Sequence, residues 1–346
     1  MTRLSFSLTK PWQHLTLVQN YPALVTVVLT VVLVLTIGLS LTQGSVSLTG
    51  TEVWQAILRS GSPMQQTIIW ELRLPRIIAG VLVGASLGMS GALLQGMLRN
   101  SLADAYILGI SAGAGLVAIV LITLGLFLTW VPLAAWLGAI LVSLLVYTLA
   151  RTSVGISIER LILGGVAFSF LLFSIQTVFL LFAEEGRVQA ALIWLTGSLN
   201  GRGWSEVKMS FPYIAIALLL GSTLGKTMNV LSLGDDLAVG LGISLGRSRI
   251  WIGAIATLLA ASAVSIAGLV GFVGLVVPHG VRLLVGADYR WVLPLSAIAG
   301  AWVLTLSDLL ARLGAIELPV GAVTSLLGCP LFIVLLYRRS KLAKGF

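Results

Sequence analysis

The chain has 346 residues, of which 58% are hydrophobic and 10% charged, and its formal net charge is +9. A soluble globular chain carries about 25% charged residues, so this one lacks the polar surface to cover itself in water, and the same apolar content excludes a disordered chain. The charge reads as membrane topology rather than nucleic-acid binding, because basic residues gather on the cytoplasmic side, and the single cysteine, Cys329, excludes an intrachain disulfide.

Crossing a hydrocarbon core of ~30 Å takes ~20 apolar residues in a helix. In chain order, a cytoplasmic tail over 1–22 precedes a first span over 23–41. No small-residue cleavage site follows it, so it reads as a retained span. A polar stretch over about 42–76 lies outside. Spans follow over 77–97, 106–128, 133–150 and 161–182. A second outside stretch, about 184–210, holds Trp194 and Trp204 and is expected to form a short interfacial helix. A short span over 212–225 leads into a cytoplasmic loop over about 226–249. Spans over 250–266, 269–284, 292–310 and 320–337 complete the set, the second of these broken by Pro278, His279 and Arg282, and a cytoplasmic tail covers 338–346.

Hydropathy alone gives eight to ten spans. Ten spans put both ends in the cytoplasm and fourteen of the 21 basic residues inside, the sign the positive-inside bias requires. The runs are continuous rather than alternating, which excludes a β-barrel. The expected fold is an all-α polytopic bundle of about ten transmembrane helices forming one domain over 23–337.

Gly80, Gly84 and Gly88 share one helix face, a spacing that lets backbones approach closely. Three G-x-S-x-G segments, 84–88, 109–113 and 242–246, lack the histidine and acid of a hydrolase triad. The segment 221–227 is one residue short of a phosphate-binding loop and ends a span instead of following a strand. Two distant histidines and one cysteine cannot build a tetrahedral metal site. The chain is therefore expected to bind no metal or nucleotide and to do no covalent chemistry. Asp308 is the one acid deep in a span, and Arg312 stands four residues on, in helical register for an ion pair.

In the cytoplasmic loop, Leu233, Leu237 and Leu241 form a short apolar stripe. Asp235 and Asp236 occupy a first turn, where acids suit the helix dipole, and Gly242 is placed to stop the helix. Such a helix either lies on the membrane surface or docks into a groove of a cytosolic partner; the residues leave both open. On the other side, Arg73 and Arg76 flank Leu74-Pro75, and Arg312 ends the ninth span. Arginines there bind lipid phosphates or pair with carboxylates of an external partner.

Taken together, these residues resemble the FecCD-type permeases of binding-protein-dependent ABC importers, the family that takes up ferric siderophores, haem and vitamin B12. The motifs run in order: Arg73-Leu-Pro-Arg76, Gly91-Ala-Leu-Leu-Gln95, Arg99-Asn-Ser-Leu-Ala-Asp104, Leu108 to Ala114, Trp194-Leu-Thr-Gly-Ser198, Gly271 to His279 with Arg282, and Glu317-Leu-Pro-Val-Gly321. The resemblance implies a type II ABC importer permease fold in the cytoplasmic membrane. It implies a second permease subunit, a cytosolic ATPase dimer that binds MgATP, and an extracytoplasmic substrate-binding protein. Arg73, Arg76 and Arg312 are then the docking residues for that protein. Gly234, Asp235, Asp236, Leu237, Ala238, Leu241 and Gly242 form the ATPase-coupling helix. Asn100 and Leu102 lie at the inner gate, where Ser101 and Ala105 replace prolines usual in the family. The expected cargo is a ferric siderophore or ferric citrate, with cobalamin and haem as alternatives and a stand-alone secondary transporter as a remote one.

Overall fold

The computed structural model describes residues 21–44, 46–105, 107–152, 155–314 and 316–343, with side chains described as far as 334. Residues 1–20 of the expected N-terminal tail, Tyr106 at the head of the third span, and residues 344–346 lie outside the described residues.

The described chain is almost wholly helical; its one sheet is the two-residue hairpin β1 (Arg151–Thr152) and β2 (Gly155–Ile156). Helix α1 (Pro22–Thr42) leads to two short helices, α2 (Gly50–Ile57) and α3 (Pro63–Thr67). A π-helical turn over Ile68–Arg73 then joins α3 to α4 (Leu74–Met97). Pro75 begins α4, as its fixed φ favours. It also has no N–H to give to the preceding turn, and the ladder widens there to the i→i+5 pattern instead of breaking. The second span is thus one continuous helix of 35 residues, Pro63–Met97.

Next come α5 (Ile110–Leu124), α6 (Val131–Leu149), α7 (Ile158–Leu181), α8 (Glu185–Thr196), α9 (Trp204–Thr223), α10 (Gly225–Ser232) and α11 (Asp235–Gly240). The chain closes with α12 (Leu245–Ala267), α13 (Val273–Val285), α14 (Tyr289–Ala311) and α15 (Val320–Ala343). Among the described residues six helices are long and apolar enough to cross a membrane, seven if the bent pair α9–α10 is one span. Three shorter apolar helices, α5, α13 and the first part of α15, accompany them. These include every expected span.

Three expected boundaries move. The second span begins at Pro63, inside the stretch expected outside. The third span starts at Ile110; the described residues before it, 98–105 and 107–109, are non-helical and bury Leu98, Ala103, Ala105 and Leu108. The sixth begins at Trp204, inside the stretch expected outside. Pro212 is held within the helix, and Trp204 is fixed by its Nε1 donating to the carbonyl of Trp70 at 2.6 Å.

Helix α4 is the axis of the bundle and is buried along almost its whole length. Its glycines set the packing. A Cβ at Gly84 would come within 2.3 Å of the Gly300 carbonyl oxygen, and one at Gly88 within 2.0 Å of that of Ser296, both on α14. One at Gly91 would meet the Gly274 carbonyl oxygen of α13 at 1.9 Å. Helix α1 and helix α7 show the reverse pattern. Val31, Val34, Leu35, Phe170, Leu171 and Leu181 are exposed. An apolar girdle this extensive fits hydrocarbon, not water.

Non-helical backbone at depth needs its own hydrogen bonds, and it has them. Gln95 Nε2 donates to the carbonyls of Gly274 and Leu275 at 3.1 and 3.2 Å, Ser198 N to Ala267 O at 2.7 Å, and Gly321 N to Gly197 O at 3.2 Å.

Candidate functional site

Helix α4 carries a polar cluster beyond each end. Its 24 residues separate them by about 36 Å at 1.5 Å per residue.

At the Arg76 end, Asp308 on α14 is the centre. Arg76 Nε donates to its two oxygens at 3.0 and 3.2 Å, and Arg76 Nη2 to Oδ1 at 2.7 Å. Arg312 Nε lies 3.2 Å from Oδ2. Arg76 also pairs with Glu317 at 2.6 Å. The Asp308–Arg312 pair is the expected one; the partnership with Arg76, 232 positions away, is an addition that sequence spacing cannot show. Arg73 is buried and donates to the carbonyls of Leu41 and Val46, tying down the segment between α1 and α2.

Arg73, Arg76, Arg312 and Glu317 line a cleft of ≈ 400 Å³ with Glu71 and Arg202. Arg202, from the loop before α9, was missed by sequence reasoning, which had only a lone arginine between glycines to go on. Its Nε and Nη2 of Arg312 are buried without a protein partner. Burial pulls both guanidinium pKa values down, opposed by Glu206 at Arg202 and by Asp308 at Arg312. The cleft is cationic, with buried N–H groups left to give.

At the Arg99 end, α11 stands out from the bundle. Gly234 and Gly242 flank it at φ +114° and +82°, which give the chain its sharp turns into and out of the helix. Ala238 is its buried underside; Leu233, Leu237, Val239 and Leu241 are exposed, as is Asp236. Asp235 is not left to the helix dipole alone, because Arg99 and Arg249 both pair with it. Beside it, Asn100 and Leu102 form one turn, in which Leu102 N donates to Asn100 Oδ1 at 2.9 Å and Leu102 stays exposed. Ala105, where the family usually has proline, uses the N–H that proline lacks: it donates to the carboxylate of half-buried Asp104 at 2.5 Å.

Between the ends lies a cavity of ≈ 470 Å³. The Trp194–Ser198 motif, the break between α12 and α13, and the start of α15 converge on it through Thr196, Leu269, Phe272 and Gly321, and Asp104 is its one charged wall residue. Phe272 holds φ +66°, an outlier for a bulky residue and a mark of a constrained site. Among the described residues no group of three or more His, Cys, Asp or Glu side chains is placed to hold a metal.

A model of the FecCD transport family matches residues 32–338. The chain belongs to this family. It is an ABC importer permease, a transport subunit rather than an enzyme, and its many apolar helices make it a membrane protein. This FecCD permease is 40% identical over 291 residues to the cobalamin import system permease of Halobacterium salinarum, covering 84% of this chain and 79% of that one. It is 37% identical over 298 residues to a Bacillus subtilis protein described as a probable siderophore transport system permease, covering 83% and 86%. A solved structure described as an inward-facing conformation of a putative metal-chelate type ABC transporter superposes with a TM-score of 0.83 at 32% identity, covering 92% of the FecCD permease and 100% of its counterpart.

Proposed function

We propose that this FecCD permease carries a ferric siderophore or ferric citrate across the cytoplasmic membrane, with both termini in the cytoplasm. It works beside a second permease, is fed by an extracytoplasmic substrate-binding protein, and is driven by a cytosolic ATPase dimer that binds and hydrolyses MgATP.

One observation carries the reading: two unlike handles stand at opposite ends of one buried helix. The Arg76 end offers buried guanidinium groups in a cleft, suited to carboxylates of a docking protein through paired hydrogen bonds. Arg76 and Arg312 are the reaching groups, with Arg202 beside them, and Arg73 holds the rim. Asp308 holds Arg76 and Arg312 in place, which leaves the unpartnered N–H groups of Arg202 and Arg312 for a docking carboxylate. The Arg99 end offers exposed leucines on a short helix with glycine at both ends. Burying Leu237 and Leu241 in an ATPase groove contributes about 1.5–3 kcal/mol each. Docking outside and ATP-driven movement inside then open the pathway alternately, with Asn100 and Leu102 at the inner gate.

The cavity between the handles supports a large cargo delivered already complexed. Its walls are mostly small or apolar and build no tight polar site. The iron-chelate assignment draws on the siderophore-named relative, and the cobalamin-named relative keeps the alternative in play. Uptake of labelled iron chelates, haem and cobalamin by cells carrying this system as their only importer decides between them. Accumulation of a ferric chelate is expected, and accumulation of cobalamin or haem alone would overturn the iron reading.

A further inference from the structure

Asp235, the first residue of α11, is bound from two sides. Arg99 Nη2 donates to its Oδ1 at 2.7 Å. Arg249 Nη2 donates to both carboxylate oxygens at 2.9 Å, and Arg249 Nη1 to the carbonyl of Ile156 at 3.0 Å. One carboxylate thus joins three segments: the turn after α4, 136 positions away in sequence, the start of α11, and the first turns of α12. The β1–β2 hairpin is held behind them.

The two arms differ in kind. The Arg249 side chain is 8% exposed and bonded to backbone as well as to Asp235. Breaking a buried, doubly bonded guanidinium away from its acid is costly, so this arm is the fixed one. The Arg99 side chain is 40% exposed, and its backbone holds φ +48°, a region that non-glycine residues rarely adopt. It is directly followed by Asn100, whose N–H donates to Gln95 O at 3.1 Å and whose side chain caps Leu102. Arg99 is therefore the residue whose side chain leaves this turn to meet α11.

We infer that the Asp235–Arg99 pair links movement of α11 to the turn of Asn100 and Leu102, with Arg249 as its anchor. The inference rests on reading α11 as the ATPase contact and that turn as the inner gate. The glycines flanking α11 let it shift as a piece, as hinge positions do. Leu237 faces out towards the partner; Asp235 faces the bundle. Asp235 is thereby a positioning residue for the gate rather than part of the surface the ATPase meets. A shift of α11 either draws Arg99 along or parts the pair, and both change the turn that Arg99 begins.

The test is the number of cargo molecules imported per ATP hydrolysed by the complete transporter in proteoliposomes. Arg99→Gln is expected to assemble with the ATPase and hydrolyse ATP normally while cargo per ATP falls about two- to fivefold, the range a partly exposed ion pair supports. Arg99→Lys, which keeps the charge, is expected to recover most of the ratio. Asp235→Glu keeps the charge and lengthens the arm, and is expected to lower the ratio too, so the test survives a folding failure of Arg99→Gln. A spin label at Leu102→Cys in a Cys329→Ser background is expected to respond to ATP in the parent and much less in Arg99→Gln. An unchanged ratio in Arg99→Gln and Asp235→Glu, with Leu237→Asp uncoupling import, would overturn the linkage alone. Normal coupling in Leu237→Asp would instead overturn the reading of α11 on which it rests.

Discussion

Asp308 shows what one residue can do when two arginines share it. Its side chain is 3% exposed, and those of Arg76 and Arg312 are 11% and 8% exposed. Its neutral amide would leave two guanidinium groups buried beside each other with Glu317 as their remaining acid. Removing one member of such a cluster costs about 3–5 kcal/mol. Asp308→Asn is therefore expected to lower the unfolding midpoint of the detergent-solubilised protein sharply. Arg312→Gln, which leaves Arg76 paired with both acids, is expected to lower it much less. Equal midpoints for the two variants would contradict this arrangement. The sequence offered half of this cluster. Helical spacing exposes Asp308 and Arg312 as a local pair, whereas Arg76, Glu317 and Arg202 come from other segments, and only folding brings them together. Asp104 was hidden for a similar reason: it was read within a motif, and its place on a cavity wall depends on α8, α13 and α15.

Spans that are apolar all along were plain in the sequence as elements, because hydropathy depends on composition within one segment. Two of the boundaries that moved are set by hydrogen bonds, which hydropathy does not register. Helix α5 is short because the turn before it closes on local bonds, Leu102 N to Asn100 Oδ1 and Ala103 N to Asn100 O, instead of starting the helix. Helix α9 is long because Trp204 is anchored on Trp70. The glycine face of α4 was legible from spacing alone, and the structure supplies its partners. Gly88→Leu would drive a side chain into the Ser296 carbonyl, where even a Cβ comes within 2.0 Å. Overpacking of this kind costs about 1–3 kcal/mol or more. It is expected to cut the yield of folded protein and lower its unfolding midpoint. Gly38→Ala on α1, with nothing within 4 Å of the added Cβ, is expected to behave like the parent. A Gly88→Leu protein as stable as Gly38→Ala would contradict close α4–α14 contact.

On the scale of the whole molecule, the bundle is a rigid axis with an acceptor surface at each end. Helix α4 joins the guanidinium cleft to the turn of Asn100 and Leu102, and α14 and α12 pack along it, so a push on either end meets a continuous buried structure. Sequence motifs marked part of each end, Arg73 to Arg76 and the glycine-flanked helix α11, since each of these is a short local pattern. They left the joint between the handles unread, since Arg99, Asp235 and Arg249 meet only in three dimensions. We place the entry of energy into this permease at α11. The most direct test of that placement is uptake of a ferric chelate into proteoliposomes holding the complete transporter, with the binding protein outside the membrane face it serves and ATP on the other. Uptake is expected to require both ATP and the binding protein, and to be lost in Leu237→Asp while the Arg76 end still binds the docking protein. Uptake without ATP, or undiminished uptake in Leu237→Asp, would contradict that placement.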